Sequence, residues 1–165
     1  MQAIELFCLE PAPGDDERRR IVHPDGRAGP VTWARLIEQQ YRCGAGYLLI
    51  MTADSPFEEQ LYVVLLRFSD LSVLDMLDIR SWYTPSVLQR VDARKDHVDF
   101  DFYAYRWRLT VHKAAKRWPH YRSARATYRP LRRWLAPRYL QLERRLLSPE
   151  EGGVQAPRDF LGKDS

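Results

Sequence analysis

His97, Asp99, Asp101 and His112 are the residues whose types and spacing could do chemistry in this chain. His97-Val98-Asp99-Phe100-Asp101-Phe102 alternates polar and apolar side chains. So does Trp107-Arg108-Leu109-Thr110-Val111-His112, after the joint Tyr103-Ala104-Tyr105-Arg106. A period of two marks a half-buried strand. Folding the halves antiparallel with Phe102 opposite Trp107 gathers Val98, Phe100, Leu109 and Val111 on one face. The other face then pairs Asp101 with Arg108, Asp99 with Thr110 and His97 with His112. Two imidazoles and two carboxylates on one face have the composition of a divalent-metal site or an acid–base pair. A strand with one wet face shows polar residues at alternate positions by default. The expectation is therefore a solvated face with Asp101–Arg108 as a cross-strand ion pair, and no metal, cofactor or catalytic residue is assigned.

Other catalytic templates are weaker. Gly44-Ala45-Gly46 leads into an apolar, strand-like run rather than a helix, so it does not read as a phosphate loop. Cys43 beside Arg42 has no histidine near it in sequence. Cys8 and Cys43 have no metal or redox spacing and read as reduced, small apolar residues. His23, beside the Pro24-Asp25-Gly26 turn, reads as a surface residue, and His120, after Trp118-Pro119, as part of an irregular basic segment.

The stronger functional signal is the distribution of charge. Residues 1–105 carry 11 basic and 17 acidic side chains, whereas residues 106–145 carry 13 basic side chains and one acid, Glu143. Such a split implies either a basic binding surface or two parts that neutralise one another. Only four of the 26 basic residues are lysine, so arginine placement carries more information than arginine abundance. In the basic stretch arginine alternates with Trp107, Trp118, Tyr121, Tyr128, Trp134 and Tyr139, a mixture suited to phosphate pairing and base stacking or to a protein interface. Trp118, Tyr121, Arg122, Arg125, Tyr128, Arg132 and Arg133 are the candidate partner-binding residues.

The elements that must position these residues follow from patterning. Arg20–His23 running into Pro24-Asp25-Gly26 reads as a strand and tight turn. Thr32 is a candidate N-cap for a helix over Trp33–Arg42, with Trp33, Leu36, Ile37 and Tyr41 on one side and Gly44 as its stop. Gly46–Ala53 and Gln60–Phe68 are continuous apolar runs, which argue for central strands covered on both faces. A further strand falls within Leu71–Ile79, although Asp75 and Asp78 interrupt it at helix-like spacing. Thr84-Pro85 suggests a short helix over Ser86–Val91. Leu131, Leu135, Tyr139, Leu142 and Leu146 form a helical stripe whose stronger half runs from Pro137 to Leu147.

The composite is an α+β fold: an antiparallel sheet of four to six strands, an early helix packed on one face and a C-terminal basic helical segment. At 165 residues a single domain over 1–147, containing the basic segment 106–145, is expected, with 148–165 as a disordered tail. The N-terminal stretch has acids where a signal peptide needs positive charge, and no apolar run is long enough to span a membrane as a helix, so a cytoplasmic protein is expected. The expected function is a non-enzymatic protein-binding module with one protein partner. Small single-domain proteins with asymmetric charge and no catalytic set include the bacterial immunity proteins that inhibit by occlusion. The alternative is RNA or DNA binding through 106–145.

Overall fold

The computed structural model describes residues 1–53, 60–80, 86–116, 127–128 and 138–151. Thirteen strands occur among them: β1 (Gln2–Ala3), β2 (Cys8–Ala12), β3 (Asp15–Val22), β4 (Ala28–Thr32), β5 (Leu36–Arg42), β6 (Tyr47–Thr52), β7 (Gln60–Leu66), β8 (Val73–Arg80), β9 (Gln89–Ala93), β10 (His97–Phe102), β11 (Tyr105–Lys116), β12 (Thr127–Tyr128) and β13 (Arg138–Leu146). They form three antiparallel sheets, ordered β1-β5-β6-β7-β8-β12, β13-β11-β10-β9 and β2-β3-β4.

The six-stranded sheet is the middle layer. On one side Leu48, Ile50, Val63 and Leu77 meet Phe100, Trp107 and Leu109 of the four-stranded sheet, all fully buried. On the other side Leu49, Met51, Val64 and Leu66 pack with Phe7 and Ile21 from the three-stranded sheet and its lead-in. A strand covered on both faces has no position at which a polar residue is free of cost. This explains why β6 and β7 are apolar almost throughout, as their sequence implies. Gly46 precedes β6 because the neighbouring strand leaves it no room: an added Cβ would lie 2.0 Å from the Leu66 carbonyl oxygen. The turn after β3 also follows expectation, with the Gly26 amide donating to the His23 carbonyl and Gly26 at φ +85°.

The α+β expectation is overturned: among the described residues the fold is nearly all β, and its helical content is the 3-10 turn Pro149–Glu151. Leu36–Arg42, expected to be helical, is β5. Its pairing with β6 steps from Ile37↔Met51 to Gln39↔Ile50, leaving Glu38 as an extra residue. That bulge switches the strand's faces, so Ile37 packs against the three-stranded side and Tyr41 against the four-stranded side. Spacings of three and four therefore arose from an interrupted period of two. The Thr32 hydroxyl does accept the Ala34 amide at 3.1 Å, as a cap would, but the chain then extends. Gln40 helps fix it there, since its side-chain oxygen accepts the Phe7 amide at 2.8 Å and its nitrogen donates to the Phe7 carbonyl at 2.9 Å.

The other two helices are likewise replaced. Ser86–Leu88 lacks regular structure and leads into β9, and the expected basic helix from Pro137 to Leu147 is β13. Leu140 and Leu142 alternate with Gln141 and Glu143 and are buried in the core shared with the six-stranded sheet, an ordinary two-residue period within the apparent stripe. Pro137 and the upstream part of that stripe lie outside the described residues, as do 152–165 of the expected tail. Both cysteines are free: Cys8 is exposed, while Cys43 is buried and donates to the Gly46 carbonyl. Burial pushes the Cys43 thiol's pKa up.

The β10–β11 hairpin forms, in a register different from the expected one. Its joint is the two-residue turn Tyr103-Ala104, with Tyr103 at φ +56°, so Phe102 faces Tyr105 and Phe100 faces Trp107. The turn is held from below, where the Trp107 indole N–H donates to the Phe102 carbonyl at 2.8 Å, and at its tip, where the Tyr103 amide donates to the Ser86 hydroxyl. Each residue of β10 meets a partner two positions earlier in β11 than expected. The even displacement keeps the apolar face apolar while replacing every polar partner.

Candidate functional site

Alternation along β10, β11 and β13 turns Asp99, Asp101, Arg106, Arg108, Glu143 and Arg145 to the outer face of the four-stranded sheet, opposite the Phe100–Trp107 core. Asp99 sits directly across from Arg108, which donates Nε and an Nη to its two oxygens at 2.8 and 2.7 Å. Asp101 sits across from Arg106, again bidentate, at 2.7 and 3.2 Å. Such fork-on-carboxylate geometry fixes the guanidinium plane as well as its position. The Arg108 hydrogen bonds hold the Asp99 carboxyl below the usual carboxylate range, and Asp99 in turn raises the Arg108 pKa.

Asp101 is buried and carries a second ion pair, from Arg90. The β9–β10 pairing shifts between Asp99↔Asp92 and Asp101↔Gln89, and Arg90 at this bulge has φ +47°. The irregularity aims a side chain from an edge strand at a carboxylate on its neighbour. Arg90 also donates to the Glu151 backbone carbonyl. In β13, Arg145 lies opposite Arg106, a like-charge juxtaposition relieved by acids on either side. Both Nη atoms of Arg145 donate to the Glu151 carboxylate at 2.7 Å. These bonds, with the Ser148 amide, bring the Glu151 pKa down to about 2. Arg144 points the other way along β13, its guanidinium 4.4 Å from the Tyr105 ring centroid. On the outer face Asp99, Arg106, Arg108, Glu143 and Arg145 line an open concavity of about 340 Å³.

The histidines are placed apart from any common centre. His97 lies opposite Thr110, with Nδ1 2.9 Å from Asp96 and Nε2 3.9 Å from Asp99. His112 bonds Gln141 at 3.0 Å. The expected Asp101–Arg108, Asp99–Thr110 and His97–His112 pairs are replaced by Asp101–Arg106, Asp99–Arg108 and His97–Thr110. Among the described residues no group of three or more His, Cys, Asp or Glu is arranged to hold a metal ion.

Of the candidate partner-binding residues, Trp118, Tyr121, Arg122, Arg125, Arg132 and Arg133 lie outside the described residues. Tyr128 belongs to β12, its backbone opposite Asp78 of β8. Arg90 and Glu151 were not singled out by sequence reasoning. Neither has a local signal, because one depends on a bulge and the other on a turn folding back onto β13. Arg144 and Arg145 could have been placed from the Leu140-Gln141-Leu142-Glu143 alternation.

The face also accounts for part of the charge asymmetry. Asp99 and Asp101 come from the acidic stretch, Arg106 and Arg108 from the basic one, and the hairpin pairs them. Chemically the arrangement offers rigid, oriented guanidiniums interspersed with carboxylates, a surface for charge recognition. Among the described residues no helix is long and apolar enough to cross a membrane. Comparisons of the chain with models of known protein families, with characterised proteins and with solved structures each return no match.

Proposed function

We propose that this chain is a non-enzymatic protein-binding module, of the kind that inhibits or neutralises one protein partner by occlusion. The observation that carries the reading is the fixed, mixed-charge concavity on the outer face of the four-stranded sheet. Arg108 and Arg145 side chains are each about half exposed, 53%, yet each is locked by a bidentate carboxylate. Pre-positioned charges of both signs select a surface of complementary pattern, steering encounter and register. Arginine is also enriched among residues that dominate interface energetics.

The nucleic-acid alternative has less support on this sheet. A polyanion would have to draw Arg106, Arg108 and Arg145 away from carboxylates they already hold.

Native-level affinity purification, with nuclease treatment, tests the module reading. One protein recovered at near-equal amount with the wild type, and depleted with Arg108→Ala, is the expected result. Recovery of no stoichiometric protein overturns it. So does a nuclease-sensitive ligand whose binding falls with salt by about 0.7–0.9 log units per neutralised phosphate.

A further inference from the structure

We propose that the cleft between the end of β4 and the β7–β8 part of the central sheet binds a primary ammonium group carried on a short apolar body, with the Asp78 carboxylate receiving the charge. The ammonium belongs either to a free amine or to a lysine side chain of another protein. The site lies on a different sheet from the charged face and stands or falls independently of the protein-binding reading above.

Three acids are buried among the described residues: Asp75, Asp78 and Asp101. Asp75 accepts the Tyr139 and Leu140 amides, and Asp101 is paired with Arg90 and Arg106. Asp78, 5% exposed, lines a cavity. It sits opposite Tyr62 in the β7–β8 pairing and two residues beyond Met76, on the sheet face turned to the three-stranded sheet. Phe7 and Ile21 cover that face at Leu49, Met51 and Leu66. Toward Asp78 the cover passes to Val31 and Trp33, which leave a cleft of about 170 Å³ walled also by Tyr62, Val64 and Met76. A carboxylate set in an apolar wall makes the cleft select positive charge over a neutral or anionic ligand of the same shape. Asp78 makes contacts within the fold, and the ammonium takes one further of the about four lone-pair directions that a carboxylate offers. The aromatic wall acts in the same direction. Trp33 is 47% exposed, and its ring already carries a cation, the Arg18 guanidinium, 4.6 Å from the centroid. Arg18 is paired with Asp15 at 3.2 Å, and neither residue lines the cleft. The volume admits one ring or a lysine-length stem and is too small for a nucleotide.

The test is an NMR titration of the full chain at neutral pH, read at the indole N–H of Trp33, which Trp33→Phe assigns. The probes are benzylamine, its neutral counterpart benzyl alcohol, and N-acetyl-lysine methylamide. Benzylamine is expected to saturate in the millimolar range and to bind about tenfold more tightly than benzyl alcohol, the factor one charge-assisted hydrogen bond supplies. Asp78→Asn, read at the same indole, is expected to abolish that preference. Trp33→Ala, at a half-exposed position, is expected to weaken benzylamine at least about threefold, followed at the backbone amides of β7 and β8. Because the amine–alcohol comparison is made on the wild type, the outcome does not depend on Asp78→Asn folding. The absence of a saturable benzylamine shift overturns the proposal, as does equal affinity for benzyl alcohol, or an undiminished preference in a folded Asp78→Asn. Saturation by the lysine amide at or below the benzylamine concentration identifies a protein side chain as the ligand. Saturation by benzylamine alone identifies a free amine. Capture or loss of a protein partner in the purification above leaves each of these readings unchanged, so the two proposals fail separately.

Discussion

Asp75 of β8 accepts the backbone amide of Leu140 of β13 at 2.9 Å, through the same oxygen that accepts the Tyr139 amide at 2.9 Å. Successive amides of a regular strand point to opposite sides, so their convergence on one oxygen requires β13 to bend there. The bend coincides with the irregularity in β11–β13 pairing, between Val111↔Leu140 and Lys116↔Arg138. A buried carboxylate of the central sheet thus serves two successive backbone donors of the bent strand and ties two layers together. Downstream of that tie, β13 runs straight against β11 and presents Glu143 and Arg145 to the outer face.

Asp75→Ala should therefore cost about 2–4 kcal/mol, because one buried and one part-buried amide lose an acceptor that water does not replace at full strength. Asp75→Asn keeps a carbonyl oxygen able to accept and should cost less. Urea denaturation measures both. An alanine variant as stable as wild type would show that the bend does not depend on this carboxylate.

The sequence made legible those elements whose faces alternate without interruption or whose two faces are both dry. β6, β7 and the β10–β11 hairpin belong to this group. It misled where a bulge or an edge disturbed the period. Glu38 turned β5 into an apparent helix, and the wet edge strand β13 kept Tyr139, Leu142 and Leu146 at helical spacing while Leu140 went unnoticed. Asp75 and Asp78, three apart and so helix-like, lie on opposite sides of β8, one toward β13 and the other beside Met76 in the cleft under Trp33. The hairpin's faces were readable from composition, but its register was set by the left-handed Tyr103, which no pairing rule for side chains encodes. Of the charged face, Asp99, Asp101 and Arg108 could be seen; Arg106, which reads as part of the turn, the bulged Arg90 and the folded-back Glu151 could not.

The two rungs of the charge ladder should differ in weight. Asp101 is buried and bridges Arg90 and Arg106, whereas Asp99 is partly exposed and bound to Arg108. Removing a buried partner strands the charges left behind, so Asp101→Ala should cost about 3 kcal/mol. Asp99→Ala should cost at most about 1 kcal/mol. Equal losses in chemical denaturation would mean that burial of Asp101 does not set the difference.

Acid should loosen the fold through the same carboxylates. Arg145 and the Ser148 amide hold Glu151 at about 2, the Arg27 amide and side chain hold Asp25 at about 2, and Arg108 holds Asp99 below its ordinary value. In each case the folded pKa lies below the unfolded one, so the unfolded chain takes up protons first as pH falls. Their contribution is complete above the unfolded carboxylate range and disappears as pH drops through the folded values. Thermal melts taken from about pH 5 down to about pH 2.5 should show a steadily falling Tm, with a shallower fall in Glu151→Gln, which has no carboxyl at that position to titrate. A Tm that stays level across this window in the wild type would mean that these ion pairs contribute nothing to holding the C-terminal turn and the charged face in place.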